Sequence, residues 1–81
     1  MTPEQNYLRD MLDLIVERAK EARQSSIIGK ENRTKEEQSF ENGRALAYYE
    51  VVSTLLNQAD AFGLSRDVFP MLDFDADKEL L

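Results

Sequence analysis

Thr34–Gly63, TKEEQSFENGRALAYYEVVSTLLNQADAFG, constrains this chain more than any other stretch, because a helix start, a helix stop and a continuous apolar face coincide in it. Thr34-x-x-Glu37 has the pattern of a capping box, and Glu36 and Glu37 place negative charge where the helix dipole is positive. Gly63 suits the left-handed residue that closes a helix, and Leu64 supplies the apolar group expected just beyond it. The predicted helix covers about residues 35–62, roughly 42 Å at about 1.5 Å per residue. At about 100° per residue, Phe40, Tyr48, Val51, Val52, Leu55, Leu56 and Phe62 fall on an arc of about 180°, with Tyr49 at its edge. One neighbouring helix covers less than that.

The preceding segment predicts a helix over about residues 3–28. Thr2 can cap it, Pro3 fits its first position, and Gln5 completes a capping box. Tyr7, Leu8, Met11, Leu12, Leu14 and Ile15 lie on an apolar arc of about 200°, opposite Asp10, Asp13, Glu17 and Glu21. Gly29 marks its end. The link Gly29–Arg33, GKENR, has the length of an antiparallel helical hairpin connection. It has one glycine and lacks the spacing of a phosphate-binding loop. Ile27 and Ile28 are expected to seal this end against Phe40. Ser65 is expected to cap a short third helix that Pro70 interrupts. The tail FPMLDFDADKELL carries too many large apolar groups for a disordered segment, so residues 65–81 are expected to dock.

Two arcs this wide leave apolar surface uncovered in a lone hairpin, a patch unusual on a monomer. The expected architecture is therefore all-α: a single domain of two long antiparallel helices and a short C-terminal helical segment, dimerised into a four-helix bundle. The expected interface residues are Tyr7, Met11, Leu14, Tyr48, Tyr49, Val52 and Leu56. Charge is segregated. Residues 18–35 carry Arg18, Lys20, Arg23, Lys30, Arg33 and Lys35, whereas residues 60–81 carry six acids. A head-to-tail pair of protomers would set one copy's acidic tail beside the other's basic end.

Composition narrows the chemistry. The 81 residues include no cysteine and no histidine, which removes thiolate sites and the commonest general base and metal ligand. A net charge of −6 opposes a broad nucleic-acid footprint. No apolar run approaches the roughly 20 residues of a membrane span. The first residues, MTPEQNYLRD, lack the features of a signal peptide, so a cytoplasmic protein is expected. Asp73, Asp75 and Asp77 have the spacing of a calcium-loop start, but Lys78 occupies the position that needs glycine. Arg44 falls inside the apolar arc with Glu41 and Glu37, which predicts a buried Arg44–Glu41 ion pair fixing register. The competing reading of Arg44 is an anion site beside Tyr48 or Tyr49. No catalytic, cofactor-binding or metal-binding residue set emerges, and no enzyme is expected.

Glu36-Glu37-x-x-x-Glu41 with Glu50 faintly resembles the carboxylate helices of all-helical, metal-dependent nucleotide pyrophosphohydrolases of the MazG type. The resemblance departs in both elements, since Glu41 is one residue late for EExxE and Val51-Val52-Ser53 follows Glu50 in place of xxD. F-x-x-G-R-x-x-A-Y-Y-E-V, Phe40 to Val51, resembles segments of small bacterial or phage-borne helical proteins. The hairpin plan over residues 3–63 resembles Rop-like dimers, which implies a four-helix assembly. Rop-like RNA binding does not transfer, because its basic and aromatic face has no counterpart here. The expected function is a non-enzymatic protein–protein interaction or regulatory module. The alternatives are a nucleic-acid-associated regulator using the basic 18–35 segment and a MazG-like hydrolase.

Overall fold

A computed structural model describes residues 1–81. The chain is all-α and contains no strand: α1 spans Pro3–Ile27, α2 spans Lys35–Ala61 and α3 spans Ala76–Leu80. Short 3-10 turns occupy Lys30–Asn32 and Pro70–Asp73. The two long helices form an antiparallel hairpin inside an envelope of 46 × 21 × 15 Å.

Local chemistry sets the helix ends. The Thr2 hydroxyl accepts from the Gln5 backbone N–H at 3.1 Å, and the Gln5 side chain accepts from the Thr2 N–H at 2.9 Å. This completes the capping box that satisfies two orphan donors of α1. Thr34 caps α2 by accepting from Glu37 N–H at 3.1 Å; only this half of the expected box forms. At the other end, Gly63 adopts φ +65. Its N–H donates to the Asp60 carbonyl, and the Leu64 N–H donates to the Ala59 carbonyl, both at 3.0 Å. This is the paired closure of a Schellman motif, and it needs a residue at ease with positive φ.

The loop end is closed by polar groups, not by the expected apolar seal. Gln38 donates to the Ser26 carbonyl and to Asn42, both at 2.8 Å, and accepts from Arg33 at 3.2 Å. Ile27, Ile28 and Phe40 all stay exposed. Gly29, in the left-handed region, starts the 3-10 turn.

Residues 65–69 make one turn in place of the expected third helix. Ser65 accepts from the N–H groups of Asp67 and Val68, and the Phe69 N–H donates to the Ser65 carbonyl. Helix cannot continue there, because Pro70 pushes Phe69 out of the helical region, to φ −123, ψ 78. The short helix forms later as α3, capped by Asp75, whose carboxylate accepts from Lys78 N–H at 3.1 Å.

The tail docks, as its apolar content implied. Of the ten buried residues, Phe69, Leu72, Ala76 and Leu80 come from it. One core cluster joins Val16 and Ala19 of α1 to Val52 of α2 and to Ala76 and Leu80. The other joins Leu12, Ala59, Phe69 and Leu72. Ala19, Ala59 and Ala76 are small enough to let the three segments approach closely. The chain's own C-terminal segment is thus the third layer of the core.

A candidate interaction surface on the bare flank

The tail covers one flank of the hairpin and leaves the other bare. On the covered flank Val52 is 1 % exposed, and Leu56 and Tyr49 are half-buried against the same core cluster. The expected second copy is therefore not what covers these three residues; residues 69–80 do. Hydrogen bonds and a cation–π contact help to fasten the cover. The Tyr49 hydroxyl donates to the Asp77 carboxylate. Arg23 donates to the Leu81 carbonyl at 2.8 Å. The Lys20 ammonium stands 5.2 Å from the centroid of the Phe74 ring, within cation–π reach. The hydrogen bond to Asp77 holds the Tyr49 hydroxyl above its ordinary pKa, with smaller upward contributions from burial and the Asp77 and Asp75 charges and an opposing one from Ser53.

These contacts redistribute the basic segment. Lys20 and Arg23 serve the tail, Arg33 serves the loop, and Arg18 lies across α1 beside Arg44. The tail starts at the far end of the hairpin but runs back to the basic stretch of its own chain. Head-to-tail pairing is not needed to bring the acidic and basic blocks together.

The bare flank carries Tyr7, Leu8 and Leu14 of α1 and Phe40, Val51 and Phe62 of α2, all exposed. Its far end opens into a groove of about 370 Å³, lined by Leu8, Met11, Ile15, Leu55, Phe62 and Leu64, with Leu12 and Ala59 at its floor and Gln58 as the one polar residue. Toward the loop the apolar surface is interrupted by a shallow depression lined by Leu14, Glu17, Arg18, Glu21, Arg44 and Tyr48. Arg44 pairs with Glu41 at 3.5 Å, one turn away on the same helix. The pair is partly exposed, at 36 and 21 % of the side-chain surface, and is not the buried pair the arc predicted. A guanidinium on a long stem reaches the edge of an apolar strip and remains hydrated there.

Of the residues expected at an interface, Tyr7, Met11, Leu14 and Tyr48 lie on the bare flank or line its depressions. Phe40, Val51, Leu55 and Phe62 belong with them. Their place on the α2 arc is readable in the sequence, but which half of the arc the tail covers is not.

A polar hollow between α2 and the tail holds Asp60, Asp73, Asp75 and Asp77 with Arg66 and Tyr49. Arg66 pairs with Asp73 at 2.9 Å and Asp60 at 3.7 Å, so one cation draws two of the acids to itself. No three Asp or Glu side chains converge anywhere in the chain as a metal site would require. No helix is long and apolar enough to cross a membrane.

Fold and surface together define a class: a small helical hairpin with a self-docked C-terminal cover and one unpartnered apolar flank. Comparison with protein-family models, curated proteins and solved structures gives no match.

Proposed function

We propose that this chain is a non-enzymatic protein–protein interaction module that acts as a homodimer, two hairpins joining by their bare flanks into a four-helix core. The observation that carries this reading is the bare flank itself. Phe62 is 78 % exposed and Phe40 67 % exposed, on the same side of the hairpin as Tyr7, Leu14 and Val51. Apolar area on that scale is a cost in water unless another surface removes it. A second copy is the commonest such surface, because a two-fold axis makes any self-complementary patch an interface. The nucleic-acid reading fits the geometry less well, since the basic segment splits between the tail, the loop and the bare flank instead of forming one cationic strip.

Light scattering across a concentration series tests the reading. The expected mass is twice the 9.3 kDa of the chain, falling toward 9.3 kDa on dilution. A mass of 9.3 kDa at every concentration would rule out self-association.

A further inference from the structure

The bare flank holds a hole at one end and a knob at the other. The hole is the apolar groove of about 370 Å³ bounded on α2 by Leu55, Gln58 and Phe62. The knob is Phe40, exposed near the loop end. Phe40 and Gln58 are about five helical turns apart, roughly 27 Å, so both point the same way from α2. Within one chain the knob cannot reach the hole.

We propose that each groove receives Phe40 of a second copy, in an antiparallel dimer whose two-fold axis crosses the flank near Tyr48. This rests on the self-association reading and adds to it a face, an orientation and an anchor. The axis lies at the level of residue 49, midway between knob and groove, so one rotation seats both phenyl rings at once. The volume is ample, since an apolar cavity of about 150 Å³ accepts benzene. The area is of the right order. An aromatic side chain covers about 150–250 Å². At their observed exposures Tyr7, Phe40 and Phe62, with Leu8, Leu14 and Val51, therefore offer roughly 600 Å² of apolar surface. A stable interface hides about 800 Å² per partner, rim included. The depression nearest the axis adds the rim: Arg18 and Arg44 stand among Glu17, Glu21 and Glu41, so each copy presents both signs of charge to the other.

The test combines mass with one distance. Phe40→Ala is expected to raise the dimer dissociation constant at least about 30-fold, the effect of losing an aromatic anchor. Leu46→Ala removes another exposed apolar residue, from the side of α2 away from the bare flank, and is expected to leave the mass unchanged. The chain has no cysteine, so Glu36→Cys carries a single spin label per protomer. The antiparallel arrangement places two such labels roughly 40 Å apart, whereas a parallel one brings them near each other. A dimer with a short label distance, or one indifferent to Phe40→Ala, would overturn the knob-and-groove assignment and leave self-association standing. A wild-type chain that stays monomeric overturns both and leaves the groove to a different partner.

Discussion

Val51 and Val52 are neighbours in sequence and identical in chemistry, yet the fold gives them opposite environments. Val52 is 1 % exposed under α3, and Val51 is 47 % exposed on the bare flank. The same division runs along the hairpin. Both flanks carry aromatic and aliphatic residues, but only one receives residues 69–80. A helix decides which side chains share an arc; what lies over each part of that arc is decided elsewhere in the chain. The covered flank therefore holds the monomer together, and the bare flank stays open to solvent.

Substitutions on the two flanks sharpen this contrast. Phe69→Ala, in the buried tail, is expected to lower unfolding free energy by about 3–5 kcal/mol, because a cavity opens in the core. Phe62→Ala, on the bare flank, is expected to change it by less than about 0.5 kcal/mol in dilute protein, where no partner is present. Urea denaturation at low concentration measures both, and equal losses would break the distinction. Next in size, Val52→Ala is expected to cost about 2 kcal/mol by the same cavity logic, and Val51→Ala a few tenths. At the helix ends, Thr34→Ala is expected to cost about 1 kcal/mol whichever flank is considered.

The smallest effect is a pH dependence of the cover. Tyr49 is held above its ordinary pKa of 10.0 by the hydrogen bond it donates to Asp77. A raised folded-state pKa means the contact contributes fully below pH 10.0 and is lost as pH rises through the shifted value. Tail docking is thus expected to weaken in strong alkali, and Tyr49→Phe to remove that component. The near-ultraviolet tyrosine signal followed alongside melting temperature reads this directly.

Features set by short-range chemistry were legible in the sequence. Thr2 with Gln5, Thr34, Gly29 and Gly63 mark helix ends through groups within a few residues of one another, and the two long helices fall within one residue of their expected ends. The Arg44–Glu41 pair follows from spacing on one helix; its partial exposure does not, because exposure depends on the neighbouring chain. The expected helix at Ser65 was lost to the backbone restriction that Pro70 imposes on Phe69, and α3 formed once that restriction was passed. The expected seal of Ile27 and Ile28 on Phe40 gave way to the Gln38 hydrogen bonds. The composition of the tail announced that it would dock, but not on which flank. That choice depends on Phe69 and Leu72 meeting Leu12 and Ala59, and on Ala76 and Leu80 meeting Val16, Ala19 and Val52. These are long-range fits with no local signature. The interface set consequently mixed residues of both flanks.

One labelling measurement distinguishes the two flanks directly. Single variants Val51→Cys and Val52→Cys place the only thiol of the chain on either flank at the same level of α2. Reaction with a thiol reagent is followed as protein concentration rises. The expected result is a Val52→Cys thiol protected at every concentration, and a Val51→Cys thiol that reacts freely when dilute and slows as the dimer fills. A Val52→Cys thiol that reacts as fast as Val51→Cys in dilute protein would contradict the covered flank, and with it the assignment of the other flank to a second copy.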